Sequence, residues 1–297
     1  MIRNVAYLKK NFSNIVAFSA SALSILLSVI AFVFPNLMGN WKYCTIGKIF
    51  ILFLCFVGFF LIIFLISLIT TKFKRKNTIW QKNSGKVSVI YDDIFKLKEE
   101  KESSKQKYVV IPVDTQFMTK VDEDTSRLKN PCVSVNTLHG KFIKHFYGTE
   151  DKVTALESEI SGYISLKDYQ PDSAQMLKYQ NSQKNRYKIG TLVEVTPPNN
   201  MHYLLLAVSE FDENNNAHSS KKTIVKSLVS LLAFYDKNCQ GNDLYIPLFG
   251  TSLSRAGLSD EESLQVIKAT IIQNSDYIHG NVNIVVYEKD RNSVSIF

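Results

Sequence analysis

Residues able to do chemistry are sparse in this sequence. The five histidines, His139, His145, His202, His218 and His279, form no metal-ligand spacing; His139 and His145 are six apart and share a helix face poorly. Cys132 lies near His139 in the chain, but that proximity alone describes an ordinary cysteine. No phosphate-binding G-x-x-x-x-G-K loop, G-x-G-x-x-G, G-x-S-x-G or H-E-x-x-H occurs, and the four cysteines make no C-x-x-C pair. The polar groups that are well placed follow apolar runs: Asp114-Thr115 after Tyr108–Val113, Asp212 to Asn216 after His202–Phe211, and Gly250 to Arg255 after Leu244–Phe249. Ligands of α/β sheets bind beyond the carboxyl ends of strands, so these three segments are expected to share one pocket.

The elements that would position them are legible as periodicities. Lys86–Tyr91 alternates and runs into Asp92-Asp93-Ile94, and Tyr108–Val113 has the unbroken apolar character of a buried strand. Helices are predicted over Thr137–Phe146, Lys152–Ile164 and Thr223–Tyr235, and from a cap at Ser259-Asp260-Glu261-Glu262 through Ile272. Strands are predicted at Leu192–Val195, His202–Phe211, Leu244–Phe249 and Asn283–Tyr287. Strands separated by helices imply an α/β domain with a mixed sheet between helices.

The 297 residues are 45% hydrophobic and 21% charged, and the mean hydropathy of −0.03 averages a very apolar first quarter with a polar remainder. Ile15–Phe34 and Ile49–Ile69 hold no charged residue, and runs of about 20 residues span a hydrocarbon core of about 30 Å. The reading is a cytoplasmic N-terminus over 1–14, transmembrane helices over 15–34 and 49–71, an external connector over 35–48 and a basic stalk over 72–85. A ligand-binding domain over 86–297 completes it. Arg3, Lys9 and Lys10 before the first span and Lys72, Lys74, Arg75 and Lys76 after the second put both flanks in the cytoplasm. Trp41 and Tyr43 suit an interfacial anchor, and reduced Cys132 and Cys239 suit a cytoplasmic domain. Two small-residue stripes on the first span, Ala17 with Ser21 and Ala20 with Ser24 and Ser28, serve either hairpin packing or contact with other subunits. The basic stalk reads as a topology determinant, and no interleaved aromatic platform points to nucleic acid.

The order YDDI, YVVIPVDTQF, SVNTLHGKFIKHFYG, RYKIGT and LYIPLFGTSLSR resembles the macro domain, the ADP-ribose-binding fold. With the apolar hairpin in front, the chain is similar to the diverged macro domains of Thoeris antiphage-defence effectors of the ThsA type. The resemblance implies that Asp93, with Asp92 an equal candidate, accepts from the adenine amino group. It sets Asp114, followed by Thr115, where the family usually has a ribose-contacting Asn; Asn136, His139 and Gly140 match the first phosphate loop, without the usual glycine run. Gly250, Thr251 and Ser252 match the second loop, whose backbone N–H groups cradle a pyrophosphate, and Arg255 adds a side chain for phosphate.

What the resemblance implies for function is a sensor and effector without enzymatic activity. Its ligand would be an ADP-ribose derivative, such as an amino-acid conjugate, made from NAD by a TIR-domain partner enzyme. Binding would drive homo-oligomerisation, and the hairpins would disrupt the inner cell membrane of the bacterium and cause abortive infection. No cofactor or metal is expected. The alternatives are a membrane-tethered ADP-ribosyl hydrolase, against which Asp114 and the missing glycine run argue, and a passive ADP-ribose-binding adaptor.

Overall fold

The structure, a computed structural model, describes residues 2–33, 46–97, 105–122, 133–172, 185–197, 201–212, 217–239, 241–251 and 256–297. The chain divides into two compact units: Met1–Arg75 with the tail residues Arg291–Ser295 and Phe297, and Lys76–Asp290 with Ile296.

The first unit contains helices α1 (Ile2–Val33) and α2 (Ile46–Phe73). Both are long and apolar enough to cross a membrane, with 18-residue mean hydropathies of 1.4 over Asn11–Ser28 and 2.3 over Phe56–Phe73. Each overruns its expected span: in α1 residues 2–14 continue the helix without a break, and α2 begins before 49 and ends after 71. Buried residues recur every fourth position along α1 at Asn11, Ile15, Ser19 and Leu23, and Phe12 meets Phe64 edge-on at 6.4 Å. Neither expected small-residue stripe lies on that row. Ala17, Ala20, Ser21, Ser24 and Ser28 are exposed, and the three serine hydroxyls donate to the carbonyls four residues back at 2.9 Å. Trp41, Tyr43 and most of the connector lie outside the described residues.

The second unit is built on an eight-stranded mixed sheet. Its strands are β1 (Lys76–Lys82), β2 (Gly85–Asp92), β3 (Lys107–Asp114), β6 (Leu192–Val195), β7 (His202–Phe211), β8 (Ala217–His218), β9 (Asp243–Pro247) and β10 (Asn281–Tyr287). A separate short pair is formed by β4 (Val121–Asp122) and β5 (Val133–Ser134). The order is β1-β2-β10-β9-β3-β7-β6, with β8 pairing β7. Five central strands run parallel; β1 and β6 are antiparallel edges. Helices α3 (Leu138–Phe146) and α4 (Glu150–Leu166) lie between β3 and β7 in the chain; α5 (Lys221–Asn238) and α6 (Asp260–Gln273) follow β7 and β9. Central strands are buried on both faces, which is why β3 and β7 read as unbroken apolar runs. Val109, Ile111 and Val113 pack with Phe142, Leu156 and Ile160, while Val110, Leu204 and Leu206, pointing the other way, are as deeply buried.

The segment 72–85 is not a stalk: Lys76–Lys82 is an edge strand, turning at Asn83 (φ 52°) into β2, with a bulge between Thr78 and Trp80. Lysines at both ends and the bulge protect this edge from pairing with another chain, and the same lysines hide its alternation in the sequence.

Candidate functional site

The sheet opens where its chain order reverses. From β3 the chain proceeds to β7 on one side and returns to β9 and β10 on the other. The β3–β9 ladder ends at Val109–Tyr245, although β3 runs on to Asp114 and β9 to Pro247. Pro112 and Pro247 lie in the separated segments and have no N–H to contribute to a ladder. The gap is the mouth of a cleft of about 1010 Å³ at the carboxyl ends of the parallel strands, as expected at a reversal point. Of the expected site residues, Asp93, Asp114, Asn136, His139, Gly250 and Thr251 line it.

Helix α3 enters the cleft by its N-terminus. Thr137 caps it, its hydroxyl accepting from the Gly140 N–H at 2.9 Å. Helix geometry leaves the N–H groups of Leu138 and His139 without an intrahelical acceptor, and both residues face the cleft, an arrangement suited to an anion. Gly140 has a different task from the one expected of it. A Cβ there would stand 2.2 Å from the Ser134 carbonyl oxygen, so glycine lets the helix press against the preceding turn, and it is not among the cleft residues.

Asp114, 3% exposed, spends its carboxylate on its own loop. Oδ1 accepts from the Gln116 N–H at 2.8 Å, and the Met118 N–H lies 3.3 Å from Oδ2. These bonds hold a tight turn in which Phe117 adopts φ 53°. Oδ2 also stands 3.7 Å from Nδ1 of the buried His139. Asp114 is therefore a brace for its turn and for the His139 ring as well as a cleft wall. Thr115 is fully buried, its backbone tied to Ser209 and Tyr187 at 2.9 and 2.8 Å, and it does not line the cleft.

Where β2 ends, Asp92 Oδ1 accepts from the Asp93 N–H at 2.8 Å, and Asp93 Oδ1 from the Phe95 N–H at 3.1 Å. Both aspartates face the cleft, with Phe95 beside them. Gly250 turns at φ 88°, and a Cβ there would meet Ile224 Cδ1 at 2.2 Å. Of the polar turn Asp212 to Asn216, residues 213–216 lie outside the described residues, as do Ser252, Arg255 and Cys132; the flanking Phe211 and Ala217 line the cleft.

The geometry also recruits residues to which the sequence reading gave no role, His145 among them, although it shares a helix face poorly with His139. Lys141, Lys144 and His145 present one face of α3 at helical spacing, a pattern that could have been read. Asp260 and Asp290, far apart in the chain, face the same space. The Asp290 carboxyl is held above the usual carboxylate range by burial and then by Asp260, opposed by Lys141. Among the described residues no group of three His, Cys, Asp or Glu side chains could hold a metal ion.

The family model of the Thoeris protein ThsA macro domain matches residues 87–287. The chain belongs to this macro-domain family. Thoeris protein ThsA of Bacillus amyloliquefaciens is 24% identical over 252 residues, covering 83% of this chain and 77% of that protein. Among solved structures, an Oceanobacillus iheyensis macrodomain with ADP has a TM-score of 0.45 at 12% identity, covering 74% of this chain and 93% of that one. A Trypanosoma brucei macrodomain in complex with ADP-ribose has a TM-score of 0.38 at 8% identity, covering 70% and 66%. In this macro domain the cleft is framed by the ends of β2, β3, β7, β9 and β10 and by the N-terminus of α3.

Proposed function

We propose that the protein is a membrane-anchored sensor and effector of antiphage defence. Its macro domain binds an ADP-ribose derivative that a TIR-domain partner makes from NAD; the copies then assemble, and the apolar helices breach the cytoplasmic membrane, killing the infected cell. The observation that carries this reading is the cleft, lined together by Asp92 and Asp93, the α3 N-terminus and the Gly250-Thr251 turn. It lies in a chain that also has two helices of membrane-spanning length. The carboxylates suit an adenine amino group, and the helix N-terminus suits a diphosphate. The non-adenine end of the ligand, an amino acid for example, is left to Lys141, Asp260 and Asp290. Assembly requires that the ligand bind the assembled state more tightly than the resting one. Full-length protein in detergent, titrated with ADP-ribose conjugates and separately with NAD, tests the reading by calorimetry and light scattering. A mass that rises with the conjugate and not with NAD supports it. Unchanged size over a saturating titration refutes it.

A further inference from the structure

The charges of this chain are segregated. Before Asp92 it has eleven Lys and Arg and no Asp or Glu; from Asp92 onward it has 24 against 27. The unit containing α1 and α2 therefore holds no acidic residue at all. At the carboxyl end of α2, Lys72, Lys74 and Arg75 are exposed within four residues, and Phe73 between them is 74% exposed. A fourth cation reaches the same place from the other end of the chain. Arg291 Nη2 donates to the carbonyl oxygens of Lys72 and, at 3.0 Å, of Lys74, capping the last turn of α2. Lys74 Nζ in turn stands 5.1 Å from the Phe297 ring. Topology signals need only be near a span in sequence, whereas this collar is assembled by tertiary structure from two distant segments.

We propose that Lys72, Lys74, Arg75 and Arg291 form a collar that binds anionic lipid headgroups, with Phe73 inserted at the bilayer boundary. The partner is the phosphodiester of an anionic phospholipid. Each cation beside a charged leaflet adds roughly fivefold to the association. The collar would gather acidic lipid around the hairpin and tie the action of the helices to membrane composition. The inference rests on the membrane reading above.

The test uses full-length protein in vesicles of phosphatidylcholine with a minority of phosphatidylglycerol, solubilised gently so that the bound lipids can be counted. Resistance to alkaline carbonate extraction is scored first, and its loss would defeat the membrane reading itself. With insertion intact, the wild type should carry a higher phosphatidylglycerol fraction than the bulk bilayer, K72Q/K74Q/R75Q the bulk fraction, and K72R/K74R the wild-type excess. Reconstituting the wild type at about 1 M salt, where the Debye length is about 3 Å, should erase the excess without any mutation. Bulk composition around the wild type, an excess that survives K72Q/K74Q/R75Q or high salt, or an excess removed by inorganic phosphate at matched ionic strength overturns the proposal.

Discussion

Replacing Asp114 separates a brace from a ligand contact. In Asp114→Ala the Gln116 N–H loses an acceptor at 2.8 Å and the Met118 N–H one at 3.3 Å, both within a buried turn. A hydrogen bond to a charged group contributes about 1.5–3 kcal/mol, and counting the longer one at half weight gives a loss of about 2.3–4.5 kcal/mol. At about 2–4 °C per kcal/mol for a domain of this size, the melting temperature should fall by roughly 5–18 °C. Asp114→Asn keeps one oxygen for Gln116 and should cost about a third of that, while leaving His139 beside a neutral partner. The assay is thermal unfolding of the full-length protein in detergent, alongside calorimetric titration with ADP-ribose. If Asp114 braces the turn, affinity and stability fall together in the alanine variant, and both are largely restored in the asparagine variant. An alanine variant that melts with the wild type, whatever its affinity, would refute the reasoning.

Gly250→Ala should weaken ADP-ribose binding and destabilise by more than about 1 kcal/mol, because φ is 88° and the new Cβ displaces Ile224; calorimetry and unfolding report both. Asp93→Ala should lower affinity for adenine-containing ligands by roughly 10–150-fold, one charge-assisted hydrogen bond, with little change for a ligand lacking adenine. Burial, and secondarily Glu194, pushes the Cys239 thiol up to about 12, so the neutral form persists at ordinary pH. Its alkylation at pH 8 should be far slower in the folded protein, where the side chain is both buried and neutral, than in the unfolded chain; equal rates by peptide mass spectrometry would be a contradiction. Deleting residues 1–71, which stops short of β1, should leave ADP-ribose affinity near wild type and abolish toxicity in cells, and a truncated protein that still kills would end the membrane mechanism.

Local pattern in the sequence was enough for the long apolar runs, the buried strands and the α6 cap. The apolar runs of α1 and α2 announce themselves because a helix apolar on every face has no use for water. The sequence reading places β6 and β7 on their observed bounds, and β7, buried on both faces, is written as a nearly continuous apolar run. The capping box of Ser259 and Glu262 is likewise legible, as its two bonds join residues three apart.

Only the folded chain decided how the remaining segments turn, pair and meet. Lys76–Lys82 is a strand because β2 supplies its hydrogen bonds; its own lysine-rich sequence hides the alternation. Asp114 and Gly140 bear residue types that suit a ligand, but each is absorbed first by a neighbour, the 114–118 turn in one case and the Ser134 carbonyl in the other. Asp260 and Asp290 come to the same cleft from a helix cap and a post-strand turn, with no mark in the chain to pair them. Periodicity records what a residue does relative to its neighbours in sequence, whereas a cleft is made where two strands part company, here β3 and β9 beyond Val109 and Tyr245.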